Sequence, residues 1–143
     1  WHHRTGRSRH WFGLVATIME RDRLLDHGFD ADFESGEDIE LRWRLSAAGE
    51  KTGVSRTVVV RHRFDDTFAF AAGQFRADGS GLARMVRKHG LRGLPLLALP
   101  GAAAARGVAV SLIRLRPRWI PYYLAFAVGN YAALFGELLR SRR

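Results

Sequence analysis

Ser35-Gly36-Glu37-Asp38 brings two carboxylates to the start of a helically periodic stretch. Carboxylates so placed can cap a helix, hold a metal or take a proton from a hydroxyl. The plain structural account is good: Ser-x-x-Asp has the form of a capping box, and acids in a first turn suit the helix dipole. The spacing of the residues that follow adds a second reading. Leu41, Leu45 and Ala48 share one face, and three places back from Leu41 is Asp38. Asp38 is therefore expected at the tip of the buried face. Partial desolvation there raises its proton affinity, which a general base for a hydroxyl needs. Glu37 lies about 100° round the helix and can face the same cleft.

Other residues compete for a chemical role. Asp30-Ala31-Asp32 spells a D-x-D metal motif, but a short acidic loop spells it readily by chance. Asp65-Asp66 is set aside on the same ground. His62 ends the β-branched run Thr57–Val60. It can bond a neighbouring carbonyl, or ligate a cation, imidazole suiting Mn²⁺ better than Mg²⁺. His2, His3 and His10 have no ligand spacing on a defined element. Cysteine is absent, so disulfide scaffolds and thiolate zinc sites are excluded.

These residues need elements to carry them. Leu14–Met19 and Thr57–Val60 read as strands. Glu20–His27 reads as a short helix stopped by Gly28, Phe29–Gly36 as a loop, and Asp38–Ala48 as the clearest helix, stopped by Gly49. Gln74–Gly90 reads as a basic amphipathic helix with Leu82, Met85 and Val86 inward. Gly79 and Gly81 within it do not make a phosphate loop.

The ordered set Gly28-Phe29-Asp30, Gly36-Glu37-Asp38-Ile39-Glu40-Leu41-Arg42-Trp43-Arg44-Leu45, Gly49 and Val58-Val59-Val60-Arg61-His62 resembles the acceptor-side half of family-2 glycosyltransferases. The match is good over residues 11–64, loose over 65–90 and only compositional beyond. The resemblance implies an α/β fold: an incomplete GT-A domain with a mixed sheet over residues 1–90, then a helical, membrane-associated tail over 91–143. It implies inverting transfer from a nucleotide-sugar donor to a glycan or lipid-linked acceptor, with Asp38 as catalytic base and Glu37 beside it. His62 would ligate a divalent cation, Mn²⁺ or Mg²⁺, held mostly by a donor-binding half N-terminal to this pattern. Trp43 and Arg76 would contact substrate. Without a donor half the chain alone is expected to be silent. The implied place of work is the cytoplasmic face of a bacterial inner membrane.

Composition bears on partners. The 143 residues carry a net charge of +9, and all but two of the 23 basic residues are arginine. That balance suits an anionic partner, or reflects arginine- and alanine-rich coding. No nucleic-acid-binding motif accompanies it, so nucleic acid is not expected. The tail holds two apolar stretches. Trp119–Gly136 is uncharged, with Trp119, Tyr122 and Tyr123 at one end and arginines on both flanks. Leu94–Leu112 is interrupted by Pro95, Pro100 and Arg106. Together they predict a hairpin that spans a membrane or lies on it. The rival to an enzyme is a non-enzymatic basic module that binds a membrane surface.

Overall fold

The computed structural model of the chain describes residues 17–51, 60 and 67–140. It divides into two compact units, Trp1–Phe64 and Asp65–Arg143. The described residues form helices and turns with no strand among them, so the protein they define is all-α. This corrects the expectation of an α/β mixed-sheet GT-A domain. The part of Leu14–Met19 that is described, Thr17–Met19, has no regular structure, and Ile18 is 93% exposed. A strand needs a partner strand and a buried face, and among the described residues there is no strand for this run to join. Of Thr57–Val60 only Val60 is described, without regular structure; the rest of that run, with His62 and Asp65-Asp66, lies outside the described residues.

The described part of the first unit is a pair of helices. Helix α1 spans Arg21–His27 and α2 spans Glu37–Ala47. A seven-residue helix is too short to persist by itself, so α1 depends on tertiary contacts. Both helices stop where glycine permits a positive φ: Gly28 after α1 and Gly49 after α2. At α2 the stop is a Schellman motif, in which Glu50 N–H donates to Leu45 O at 2.9 Å and Gly49 N–H to Ser46 O at 3.2 Å. Leu41 and Leu45 are buried as their spacing predicts, whereas Ala48, past the helix end, is exposed.

The second unit is three long helices. Helix α3 spans Phe68–His89, capped by Thr67, whose hydroxyl accepts from Phe70 N–H at 3.2 Å. A 3₁₀ segment, Gly90–Ala98, leads into α4, Leu99–Ile113. A second 3₁₀ turn, Pro117–Trp119, leads into α5, Ile120–Arg140. Their side-chain contacts fix the directions. Phe75 meets Tyr122 and Phe126 edge-on, and Arg87 bonds Glu137 at 2.6 Å, so α3 and α5 run parallel. Gly101 lies against Tyr131 and Gly107 against Tyr123, so α4 returns antiparallel to α5.

Glycine sets the closeness of α3 to α5. A Cβ on Gly79 would stand 2.2 Å from the Asn130 carbonyl oxygen, and one on Gly129 would stand 3.0 Å from the Phe75 Cβ. Each helix thus offers a notch to the other. Leu82, Ala83 and Leu134 are buried beside this crossing, with Leu96, Leu97 and Leu138 packed against them. Leu82 and Met85 are buried as the sequence predicts, with Val86 half-buried. The Tyr131 hydroxyl, held on α5, donates to Leu97 O at 3.0 Å and accepts from Gly101 N–H at 3.1 Å. It satisfies a carbonyl and an amide one turn apart where the 3₁₀ segment becomes α4.

The α4–α5 corner has an unusual residue. Arg116 N–H donates to Ser111 O at 2.8 Å and Leu115 N–H to Leu112 O at 3.0 Å, again a Schellman pattern. Here the left-handed position is filled by Leu115, at φ 52°, rather than by glycine. Its side chain is 88% exposed.

Among the described residues, one helical run, Phe68–Ile113, is long and apolar enough to cross a membrane by length and composition. It contains the Leu94–Leu112 stretch. Helix α5, which covers most of the Trp119–Gly136 stretch, does not meet the same measure. The chain is thus compatible with membrane association.

Candidate functional site

The sequence places its candidate base at the start of α2, and the local backbone there differs from a capping box. The N-cap is Gly36, left-handed at φ 81°, and no side chain caps the helix. Ser35 is therefore not the cap, because the chain enters the helix one residue later than Ser-x-x-Asp requires. Glu37 and Asp38 open the first turn and, with Glu40, place three acids at the positive end of the helix dipole. Asp38 is half-buried, and its Oδ1 accepts from Ile39 N–H at 2.7 Å. Glu37 is half-buried beside it.

The start of α2 is braced by a residue pair whose role the sequence reading does not anticipate. Glu40 is fully buried. Both of its oxygens accept from Arg44 Nε, at 2.9 and 2.8 Å. The two terminal nitrogens of the same guanidinium donate to His27 O, the last carbonyl of α1, and to Gly28 O just beyond it, the latter at 2.8 Å. One planar fork thus neutralises a buried acid and closes the C-terminal end of α1. A Glu and an Arg four apart on a helix was the available signal. Arg23 adds a second tie, at 2.9 Å to Glu50, and His27 Nε2 stands 3.9 Å from the same oxygen.

The loop between the helices is ordered by its own side chains. Asp32 N–H donates to Asp30 Oδ1 at 2.9 Å, and Phe33 N–H to Asp30 O at 3.1 Å. This is an Asx turn, with Phe33 buried beneath it. Asp30 therefore has a structural occupation in this turn.

Trp43 and Arg42 lie half-buried on α2. Burial pushes the Arg42 guanidinium below its ordinary pKa. Arg76 belongs to the second unit, exposed on α3 one residue beyond the buried Phe75. Two positions on, Asp78 lies near enough to raise the Tyr122 hydroxyl; burial is the larger cause, and Tyr123 contributes between the two. Among the described residues no group of three His, Asp or Glu could hold a metal. The divalent cation implied by the resemblance has no ligand set in them, and His62 lies outside them.

Comparison with known proteins adds no relative: no family model matches the chain, and no curated protein or solved structure is significantly similar to it.

Proposed function

We propose that the chain is the acceptor-side part of a nucleotide-sugar-dependent glycosyltransferase, working on a lipid-linked or cell-envelope acceptor at the cytoplasmic face of a bacterial inner membrane. The observation that carries this reading is the setting of Asp38. It is half-buried at the mouth of a helix entered through left-handed Gly36, outside any capping box, on a helix braced by Arg44. The reading rests on this hairpin and on the motif it bears, not on a sheet.

In the proposed reaction Asp38 takes the proton of an acceptor hydroxyl. That oxygen forms a bond to the anomeric carbon as the bond from that carbon to the nucleoside diphosphate breaks. The electron pair leaves with the diphosphate, and the carbon inverts. The Arg44 fork keeps the turn beside Asp38 in place.

The test is Asp38→Asn in the complete protein, assayed for transfer from uridine- and guanosine-diphosphate sugars to membrane lipid extracts. The amide keeps the shape but cannot accept the proton. Turnover should fall by about 10²–10⁴-fold, with the helical circular dichroism unchanged. Near-normal turnover by the variant would remove Asp38 from the chemistry.

A second reading has its own observation. Between Asp78 and Glu137 the sequence carries eight arginines and lysines and no carboxylate. That favours a non-enzymatic module that binds an anionic membrane surface. A complete protein that transfers no sugar, yet binds anionic vesicles, would decide for this reading.

A further inference from the structure

The outer side of α5 is apolar from end to end. Pro121, Leu124, Val128, Ala132, Phe135 and Leu139 are all exposed, at helical spacings of three and four. Val128 and Leu139 are 69% and 66% exposed, so the stripe has no cover in the second unit. At one end of it is the α4–α5 corner, where Leu112, Ile113 and Leu115 alternate with Arg114, Arg116 and Arg118, all exposed. Trp119 ends the 3₁₀ turn just before α5, half-exposed, with its ring edge-on to Tyr122. An aromatic belt beside arginines is the composition of a membrane–water boundary.

Leu115 gives the corner its meaning. Glycine would fit the left-handed position of this Schellman motif without strain, and leucine does not. The side chain gains nothing in return from the fold, because it is 88% exposed. A strained position filled by an apolar group aimed outward makes sense if something apolar receives it. A second copy of this chain is a poor recipient, since each copy would bring the same exposed corner arginines, Arg114, Arg116 and Arg118, up against one another. An anionic bilayer is apolar below and negative above, which matches both halves of the corner.

The geometry also decides how deep the contact goes. Helix α4 has 15 residues, about 22 Å at 1.5 Å each, against about 30 Å of hydrocarbon. It carries exposed Arg106 near its middle, and the stretch before it is 3₁₀ with Pro95 inside. Helix α5 is long enough, but α3 runs parallel beside it. Phe75 sits against Tyr122 and Phe126, and Gly79 against Asn130, so exposed Arg76 and Asp78 stand level with the middle of α5. A spanning α5 would carry those charges into hydrocarbon.

We infer that the α4–α5 face is a monotopic anchor for an anionic bilayer, with Leu115 and the α5 stripe in one leaflet and the corner arginines among the headgroups. This rests on the membrane part of the proposed function and is independent of Asp38.

The experiment uses the full chain with vesicles of phosphatidylcholine, alone or mixed with phosphatidylglycerol. The chain should sediment with the mixed vesicles, far less with phosphatidylcholine, and be released by high salt or alkaline carbonate. Leu115→Gly should raise the unfolding temperature yet lower partition about tenfold, since one leucine leaves the lipid. Arg114→Gln, Arg116→Gln and Arg118→Gln together should lower it about a hundredfold. The chain has no cysteine, so Val128→Cys takes a single fluorophore, whose emission should shift to the blue on mixed vesicles; a label at Ser46→Cys should not shift. Equal partition of Leu115→Gly and wild type would overturn the proposal, as would resistance of the bound chain to carbonate. So would a dimer in solution that Val128→Glu dissociates, because the stripe would then be a subunit interface. Asp38→Asn should bind vesicles as wild type does, so loss of transfer and loss of membrane binding are separable.

Discussion

The same substitution at two glycines six residues apart on α3 should move stability in opposite directions. A Cβ on Gly73 would meet nothing within 4 Å, whereas one on Gly79 would meet the Asn130 carbonyl oxygen at 2.2 Å and its carbon at 2.9 Å. Gly73→Ala adds no contact and removes only unfolded-state freedom, so it should stabilise by about 0.5–1 kcal/mol. Gly79→Ala must move backbone. An ordinary carbon–oxygen contact needs about 1 Å more, and no side-chain rotation can supply it. Helices α3 and α5 must part locally, and a gap of 0.5–1 Å forfeits about a quarter to a half of each dispersion contact along the crossing. Overpacking of this kind costs about 1–3 kcal/mol, and a backbone obstacle puts Gly79→Ala at about 2–3 kcal/mol. For a cooperative unit of this size that lowers the unfolding temperature by about 10–20 °C, while Gly73→Ala raises it by about 4 °C. Thermal unfolding of the purified chain, followed by helical circular dichroism, reads both. If Gly79→Ala melted at or above the wild-type temperature, the close α3–α5 crossing would be wrong.

Arg44→Met leaves Glu40 buried without its cation and should cost about 3–5 kcal/mol in the first unit; Arg44→Lys should rescue little, because a point charge cannot serve Glu40 and two carbonyls together. Hydrogen exchange at α1 amides is the readout. Tyr131→Phe should destabilise the second unit by about 1–3 kcal/mol, as the Leu97 carbonyl and Gly101 amide lose their shared partner. Glu137 titrates below the usual glutamate range, chiefly through its hydrogen bond from Arg87. A depressed folded-state pKa means stability that is present above the unfolded-state value and lost as pH falls through the folded one. The pair is solvated, so acid melts should show a loss under about 1 kcal/mol, smaller in high salt and absent in Glu137→Gln.

What the sequence made legible was punctuation and periodicity. Gly28 and Gly49 close their helices because few other residues accept the positive φ those ends need, and Leu41 and Leu45 are buried because they lie four apart on a short helix. Ser35 misled because a capping motif in sequence does not fix the register at which a helix starts; left-handed Gly36 moved the start by one residue. Glu40 was illegible in another way. Its spacing from Arg44 was plain, but that the fork would turn inward and close α1 depends on a chain reversal no local pattern encodes. The periodicity of Leu82, Met85 and Val86 put Gly79 and Gly81 inside a helix, but which glycine meets a neighbouring helix is not a local property: the closeness of Asn130 makes Gly79 worth its cost. The α/β expectation rested on the resemblance and on short apolar runs read as strands, and the described residues hold helices and turns with no strand. Of the candidate site, Glu37, Asp38 and Trp43 fall on one described helix, and Arg76 on another in the other unit.

The reciprocal notches between α3 and α5 leave those helices no freedom to slip. Gly79 receives Asn130 while Gly129 receives Phe75, so a shift of one turn would drive a side chain into backbone at both places. The aromatic contacts at Phe75 and the Arg87–Glu137 pair hold the same register over about three turns of α3. A push on the outer face of α5 is therefore not absorbed between the helices; it displaces α3 by the same amount. Whatever α5 lies against sets the position of Thr67, where α3 begins.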